Sequence, residues 1–363
     1  MKNNNRGKIY LLLAAAILGG ILGFSLLQYR TGWLAGDEAV FIRITDNLPA
    51  YKSHAEWWTR DGVTRPEDTS YLPDSTFYVD VLDTPIWRHP PLANYLAYPA
   101  VKLLWNEESI KTIDAGTEKL RVIAWIMLTF CALSTLWIIR RKNKDGSIIL
   151  FMALTLAAGY AIFMQIGANW FYHDIFMLVF LMIALLMRKT RYKKFIYIPL
   201  AMMVCCKITA VLFLIPFIIE KRKTILCSLA LLPYLVWTYI VTDNFFWVIE
   251  HWIFINTAVD ATPSNASPEM VAYLLAFLNN TNHIIPLFVI TGISFAYITY
   301  NAIRKKGSWF YPVLFTIANI TTVGWALRYW EVLGLYYYQM QPMLIIGMLI
   351  TGEAVIQFKQ RHK

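Results

Sequence analysis

Charge is scarce in this sequence. Asp, Glu, Lys and Arg supply 15% of its 363 residues, while 58% are hydrophobic and 15% aromatic. A soluble domain usually carries about 25% charged residues, so the shortage argues against a water-soluble globule and for a polytopic membrane protein. Cysteine is scarce too: Cys131, Cys205, Cys206 and Cys227 are the full set, all inside apolar stretches. None has the spacing of a zinc site, the adjacent pair reads as packing rather than a disulfide, and the four report nothing about redox compartment. Internal repeats, low-complexity tracts and a second soluble domain are absent, so residues 1–363 read as one transmembrane domain. Acids are the minority charge, 23 against 33 Lys and Arg, for a formal net charge of +10. In a soluble protein that excess would raise nucleic acid as a partner. Here the cations fall in short clusters between apolar runs, the pattern of cytoplasmic loops beside anionic lipid headgroups, and no nucleic-acid partner is expected.

What the sequence has in quantity is long apolar runs. About 20 such residues cross a bilayer as a helix. Eight runs qualify: 8–28, 120–139, 147–168, 172–188, 224–241, 284–303, 308–327 and 338–358. Shorter ones lie at 91–105, 195–219 and 270–279. The N-terminus resembles a signal peptide, yet no small-residue cleavage site follows convincingly, so a retained signal anchor is expected. Orientation comes from the basic clusters at Lys2–Lys8, Arg140–Lys142, Arg188–Lys194, Lys221–Lys223, Arg304–Lys306 and Lys359–Lys363. If all are cytoplasmic, the eight spans alternate correctly and both termini lie inside, in the plasma membrane. That scheme forces the run 195–219, basic at both ends, to enter and return, with its turn near Cys206-Lys207. The run 91–105 must likewise dip in and come back or pair with a second short element. The expected fold is therefore an all-α polytopic bundle of about eight full spans plus short or re-entrant helices. Residues 29–90, 169–174, 242–283 and 328–337 become extracytoplasmic, and the first of these is a long loop with juxtamembrane amphipathic pieces such as Ala55–Trp58. Tryptophans at 33, 57, 58, 87, 105, 170, 247, 252, 325 and 330 sit near span ends, as an aromatic belt does.

Several polar residues fall on that one face. Asp37-Glu38 follow the first span directly, and Arg88-His89 precede Pro90-Pro91 where the long loop regains the membrane. His173-Asp174 open the span 172–188, and Arg328 and Glu331 follow the span 308–327. Each has an ordinary reading: a solvated loop, a helix start, an acid favoured at a helix N-terminus, or a snorkelling arginine. Lys207 resists one, because about ten apolar-rich residues flank it on either side. A cation at that depth calls for a partner, either an anionic ligand or an acid such as Asp174. Carboxylates and cations on one membrane face suit transfer of a sugar from a polyprenyl-phosphate carrier. A carboxylate takes the proton of the attacking acceptor hydroxyl, and fixed cations stabilise the departing lipid phosphate.

Gly36-Asp37-Glu38-Ala39, His89-Pro90-Pro91-Leu92, Tyr172-His173-Asp174 and Lys207-Ile208-Thr209, in this order, resemble motifs of polytopic glycosyltransferases of the GT-C fold. The likeness is nearest to protein O-mannosyltransferases and to the aminoarabinose transferases that modify lipid A. It covers residues 8–220 well and the region Tyr336–Gln339 only loosely; these 363 residues are fewer than typical members have, and no separate C-terminal soluble domain is expected among them. The resemblance implies an outward-facing active site with Asp37 as the leading candidate base and Asp174 as a second active-site acid. Glu38 is expected beside Asp37 in the catalytic set, and an acid that acts as base rather than nucleophile predicts inversion at the anomeric carbon. Lys207, Arg88, His89 and Arg328 are the expected donor-phosphate ligands, with His173 and Glu331 in support. The implied partners are a polyprenyl-phosphate-linked sugar, membrane lipids, and an acceptor that is protein, lipid or glycan. A divalent cation held by Asp37 and Glu38 is compatible with their oxygens but not required. The rival reading is a transporter or flippase of a lipid-linked or anionic solute, which a buried lysine and intramembrane acids also suit.

Overall fold

The structure is a computed structural model that describes residues 41–42, 45–46, 90–105, 115–142, 145–165, 171–245, 285–326 and 341–361. Among these, all regular structure is helical. The α-helices are α1 (Leu92–Leu104), α2 (Ala115–Lys142), α3 (Gly146–Gln165), α4 (His173–Arg188), α5 (Tyr197–Cys206), α6 (Ile215–Glu220), α7 (Leu232–Thr242), α8 (Ile285–Ile303), α9 (Phe310–Ala326) and α10 (Gln341–Arg361). Three 3-10 segments, Arg191–Phe195, Ile208–Leu214 and Arg222–Leu231, link α4 through α7. Three helical stretches among the described residues are long and apolar enough to cross a membrane: Lys119–Lys142, Arg222–Ile240 and Gln341–Arg361. The expected first span at 8–28 and the short run 270–279 lie outside the described residues.

Basic residues meet at one end of the bundle. Lys142, closing α2, donates to the Tyr311 hydroxyl of α9 at 3.1 Å and pairs with Glu353 of α10. Lys359 of α10 pairs with Asp145, just before α3. Arg188, closing α4, sits 3.5 Å from the Phe310 ring centroid and pairs with Glu220 at the end of α6. Asn301 of α8 donates to Gln357 of α10 at 2.9 Å. The clusters Arg140–Lys142, Arg188–Lys194, Lys221–Lys223, Arg304–Lys306 and Lys359–Arg361 therefore share an end. The starts of α2, α4, α8 and α10 and the ends of α3, α7 and α9 lie at the other.

The run 195–219 does turn back. α5 leaves the basic end and stops at Cys206; Lys207 is extended (φ −155°, ψ 133°), and Ile208–Glu220 returns to Arg188. The run 91–105 forms the single helix α1, which at 13 residues is about 20 Å long and too short for a core of about 30 Å.

Lipid tails are as apolar as leucine, so close approach and internal hydrogen bonds hold such helices together. Helix α10 is the central element, packed on α2, α3, α8 and α9. Its glycines permit that approach. A Cβ at Gly347 would lie 2.9 Å from Thr291 Cγ2 of α8, and one at Gly352 2.7 Å from Ile139 Cγ1 of α2. The buried hydroxyls of Thr135, Thr238 and Thr351 each donate to the carbonyl four residues earlier, at 3.1, 2.9 and 3.0 Å. A side chain that bonds its own helix leaves no polar group exposed to lipid.

Candidate functional site

The end opposite the basic clusters holds a buried polar group assembled from four chain segments. Tyr172 is extended (φ −145°, ψ 173°), and α4 starts after it with His173 and Asp174 in its first turn. Asp174 therefore sits where the helix macrodipole is positive. Helix α5 runs antiparallel and ends beside it, placing Lys207 at a carbonyl-rich, negative terminus. Each charge thus occupies the helix end that favours its sign, and the two then pair. Lys207 Nζ lies 2.7 and 2.8 Å from the two Asp174 carboxylate oxygens, with both side chains 6% exposed. Asp174, one of the two partners open to Lys207, therefore meets it directly.

Beside the pair runs a hydrogen-bond chain whose polarity can be worked out. Thr45 Oγ1 donates to the Phe41 carbonyl at 2.6 Å, which uses its one proton. Toward Asn94 it can therefore only accept, and Asn94 Nδ2 donates to it at 2.9 Å. That turns Asn94 Oδ1 toward His173 Nε2, 3.1 Å away. An amide oxygen only accepts, so Nε2 carries a proton. Thr45 and Asn94 are 0% and 1% exposed, so water does not compete for these bonds. The Phe41 ring packs against His173 edge-on at 4.6 Å between centroids and against Phe171 at 5.8 Å. This aromatic collar encloses the chain of bonds. Lys102 of α1 also reaches Asp46 at 2.6 Å, a second tie between α1 and the segment 41–46.

Of the expected site residues, the structure brings together His173, Asp174 and Lys207. Asp37, Glu38, Arg88, His89, Arg328 and Glu331 lie outside the described residues. Their described chain neighbours are Phe41, Pro90 and Ala326; Phe41 packs on His173, Pro90 lies four residues before Asn94 in the chain, and Ala326 ends α9 at the same end of the bundle. Asn94 and Thr45 were not anticipated. The signal available for Asn94 was a lone amide in the apolar stretch Leu92–Leu104; Thr45 offers none, because a threonine usually satisfies itself on its own helix.

Among the described residues, no three His, Cys, Asp or Glu side chains gather to hold a metal ion. These features define, among the described residues, an all-helical arrangement with three helices long and apolar enough to cross a membrane and a buried ion pair at an interrupted helix. No protein family model matches the chain, and neither does any curated protein or solved structure.

Proposed function

We propose that the chain is a multi-pass glycosyltransferase of the GT-C type, with about eight spans and the hairpin turning at Lys207, in the plasma membrane with its site outward. It moves a sugar from a polyprenyl-phosphate donor to an acceptor hydroxyl, with Asp37 as general base and inversion at the anomeric carbon. The observation that carries this reading is the meeting of His173-Asp174, Lys207 and the segment 41–46 at the end away from the basic clusters. Phe41 touches His173, and Asp37 is four residues earlier in the chain, a reach of at most about 14 Å. Asp174 and Arg188 are fourteen residues apart on α4, about 21 Å along the axis. With Arg188 at one interface, the ion pair lies within the opposite half of a core about 30 Å thick. A polyprenyl-phosphate sugar presents its reacting bond near that level while its tail stays in the hydrocarbon.

With Lys207 held by Asp174, the pair is a positioning unit in this conformation. Lys207 becomes a donor-phosphate ligand when the phosphate displaces the carboxylate, leaving Asp174 free to meet the sugar or the acceptor. Arg88, His89 and Arg328 complete the phosphate site in this proposal, with Glu38 and Glu331 beside Asp37.

Purified protein incubated with a panel of polyprenyl-phosphate sugars should release lipid phosphate with one of them. Asp37→Asn should slow that release by the 10²–10⁴ typical of a lost general base. Retention of configuration in the product, or full activity in Asp37→Asn, would falsify the mechanism. The helix interrupted at Lys207 favours a second reading, a transporter, since such breaks hold solute sites in transporters. Movement of an intact lipid-linked sugar across vesicles, without bond cleavage, would establish that reading instead.

A further inference from the structure

The basic end carries a surface that the transfer reaction does not use. The 3-10 segment Arg191–Phe195 has no buried residue, and Lys221, Arg222 and Lys223 are all exposed at the start of the third 3-10 segment. These two strips lie side by side. Arg188, three residues before Arg191, forms its ion pair with Glu220, two residues before Arg222. Cys227 Sγ contacts the Tyr197 carbonyl at 3.6 Å, which joins the strips further along. Glu220 is the acid between them, and Arg188 engages it through Nε at 2.7 Å as well as through Nη2. Among the described residues, no acid pairs with Lys193, Lys194, Arg222 or Lys223.

A bare cation cluster is normally a solvated face. This one rides on an apolar shelf: Ile198, Ile225 and Leu226 are 58%, 56% and 59% exposed directly after the charged residues in each strip. Lys194 Nζ stands 4.9 Å from the ring centroid of Phe195, itself exposed, so the ammonium sits at an aromatic border. The strip Arg191–Phe195 is also fixed rather than trailing. Thr190 Oγ1 donates to the Met187 carbonyl at 2.9 Å and accepts from the Tyr192 amide at 3.0 Å. Cations above an apolar shelf complement an amphiphile with an anionic head and hydrocarbon tails; a free anion would use only the upper half.

We propose that the strips Arg191–Phe195 and Lys221–Leu226 form a binding surface for an anionic phospholipid of the surrounding bilayer, its phosphate between the two cation groups and its chains along Ile198 and Leu226. This rests on the chain being membrane-embedded but not on the transferase reading, since no transfer is measured in its test. Full-length protein is melted in phosphatidylcholine vesicles with and without phosphatidylglycerol, and bound phosphatidylglycerol is quantified after purification. Wild type should melt higher with phosphatidylglycerol and retain it. Lys193→Gln/Lys194→Gln/Arg222→Gln/Lys223→Gln should lose both effects, with retention falling about fivefold per cation in direct contact. Ile225→Ser/Leu226→Ser, which keeps every charge, should lose retention as well. Arg304→Gln/Lys305→Gln/Lys306→Gln, which neutralises another cluster at the same end, should behave as wild type. Equal losses in this control, an equal melting shift with soluble glycerol phosphate, or full retention in the serine variant would each overturn the proposal.

Discussion

Lys207 and Asp174 are 33 residues apart in sequence, yet the ammonium reaches both carboxylate oxygens, at 2.7 and 2.8 Å, across the tip of an antiparallel hairpin. Both side chains are withdrawn from solvent, so neither charge has water to fall back on. Removing one partner strands the other: Lys207→Met or Asp174→Asn should each cost about 3–5 kcal/mol of stability. The double substitution should be milder than the two single effects combined, because no lone charge remains buried. Denaturant titration of the four proteins in detergent checks this; additive losses would mean that the pair carries no coupling. Lys207→Arg should recover only part of the stability, since a planar fork does not fit a seat shaped for a compact ammonium.

The chain Phe41–Thr45–Asn94–His173 makes a prediction readable without any substrate. In protein labelled with nitrogen-15 at histidine and held in bilayers, neutral His173 should show the tautomer protonated at Nε2. Thr45→Val removes the acceptor that orients Asn94, so the amide can turn over and both tautomers should appear. Asn94→Leu should release the ring altogether. A mixed population already present in wild type would show that the relay does not set the proton.

Gly352 lies against Ile139, where a Cβ would come 2.7 Å from Cγ1. Gly352→Val should therefore push α10 off α2 and destabilise the bundle by about 1–3 kcal/mol, as overpacking does. Shrinking the opposing side chain with Ile139→Ala should restore part of that loss. Gly292, with nothing within 4 Å of its would-be Cβ, is the matched control, and Gly292→Ala should leave the melting temperature almost unchanged.

Burial alone would raise the Glu220 carboxyl, but the hydrogen bond and charge of Arg188, with Lys189 and Lys221, hold it below the usual carboxylate range. A depressed carboxylate stabilises the fold at every pH above its unfolded value of about 4.3, and that contribution fades as pH falls through the lower folded value. Glu220→Gln should accordingly melt below wild type at neutral pH, with the gap closing in acid below about pH 4. Because the pair is partly exposed, the gap should stay small, about 1 kcal/mol or less, and shrink in high salt. A gap that widens on acidification would reverse the assigned sign.

Much of the helical layout was legible because in a membrane protein the same feature fixes both position and end. Apolar run lengths mark helices, and Lys/Arg clusters mark where they stop, so the return of 195–219 followed from basic residues at both its ends. The winding within those limits was not legible. Nothing in Arg222–Leu231 distinguishes a 3-10 segment from an α-helix, since hydropathy is blind to whether a carbonyl bonds three or four residues on. For the site, Lys207 stood out because a lone cation among aliphatic residues demands a partner, and Asp174 was the acid named for it. Asn94 and Thr45 did not stand out, being uncharged residues whose meaning depends on a contact 49 residues apart. Glu353 was overlooked within the last apolar run, although a lone acid there follows the same logic as Lys207 and finds Lys142.

Helix α10 packs on α2, α3, α8 and α9, and it is synthesised after all of them. While the chain is being made, the helices that will surround α10 face lipid or one another across an unfilled slot. Glu353 and Lys359 are not yet there to meet Lys142 and Asp145, so these two ion pairs form only once α10 arrives. Arrival of α10 then exchanges lipid for glycine-mediated helix contacts in one step. Assembly of this bundle is a closing event that waits on its last helix, and a ribosome stalled before residue 341 would leave it open.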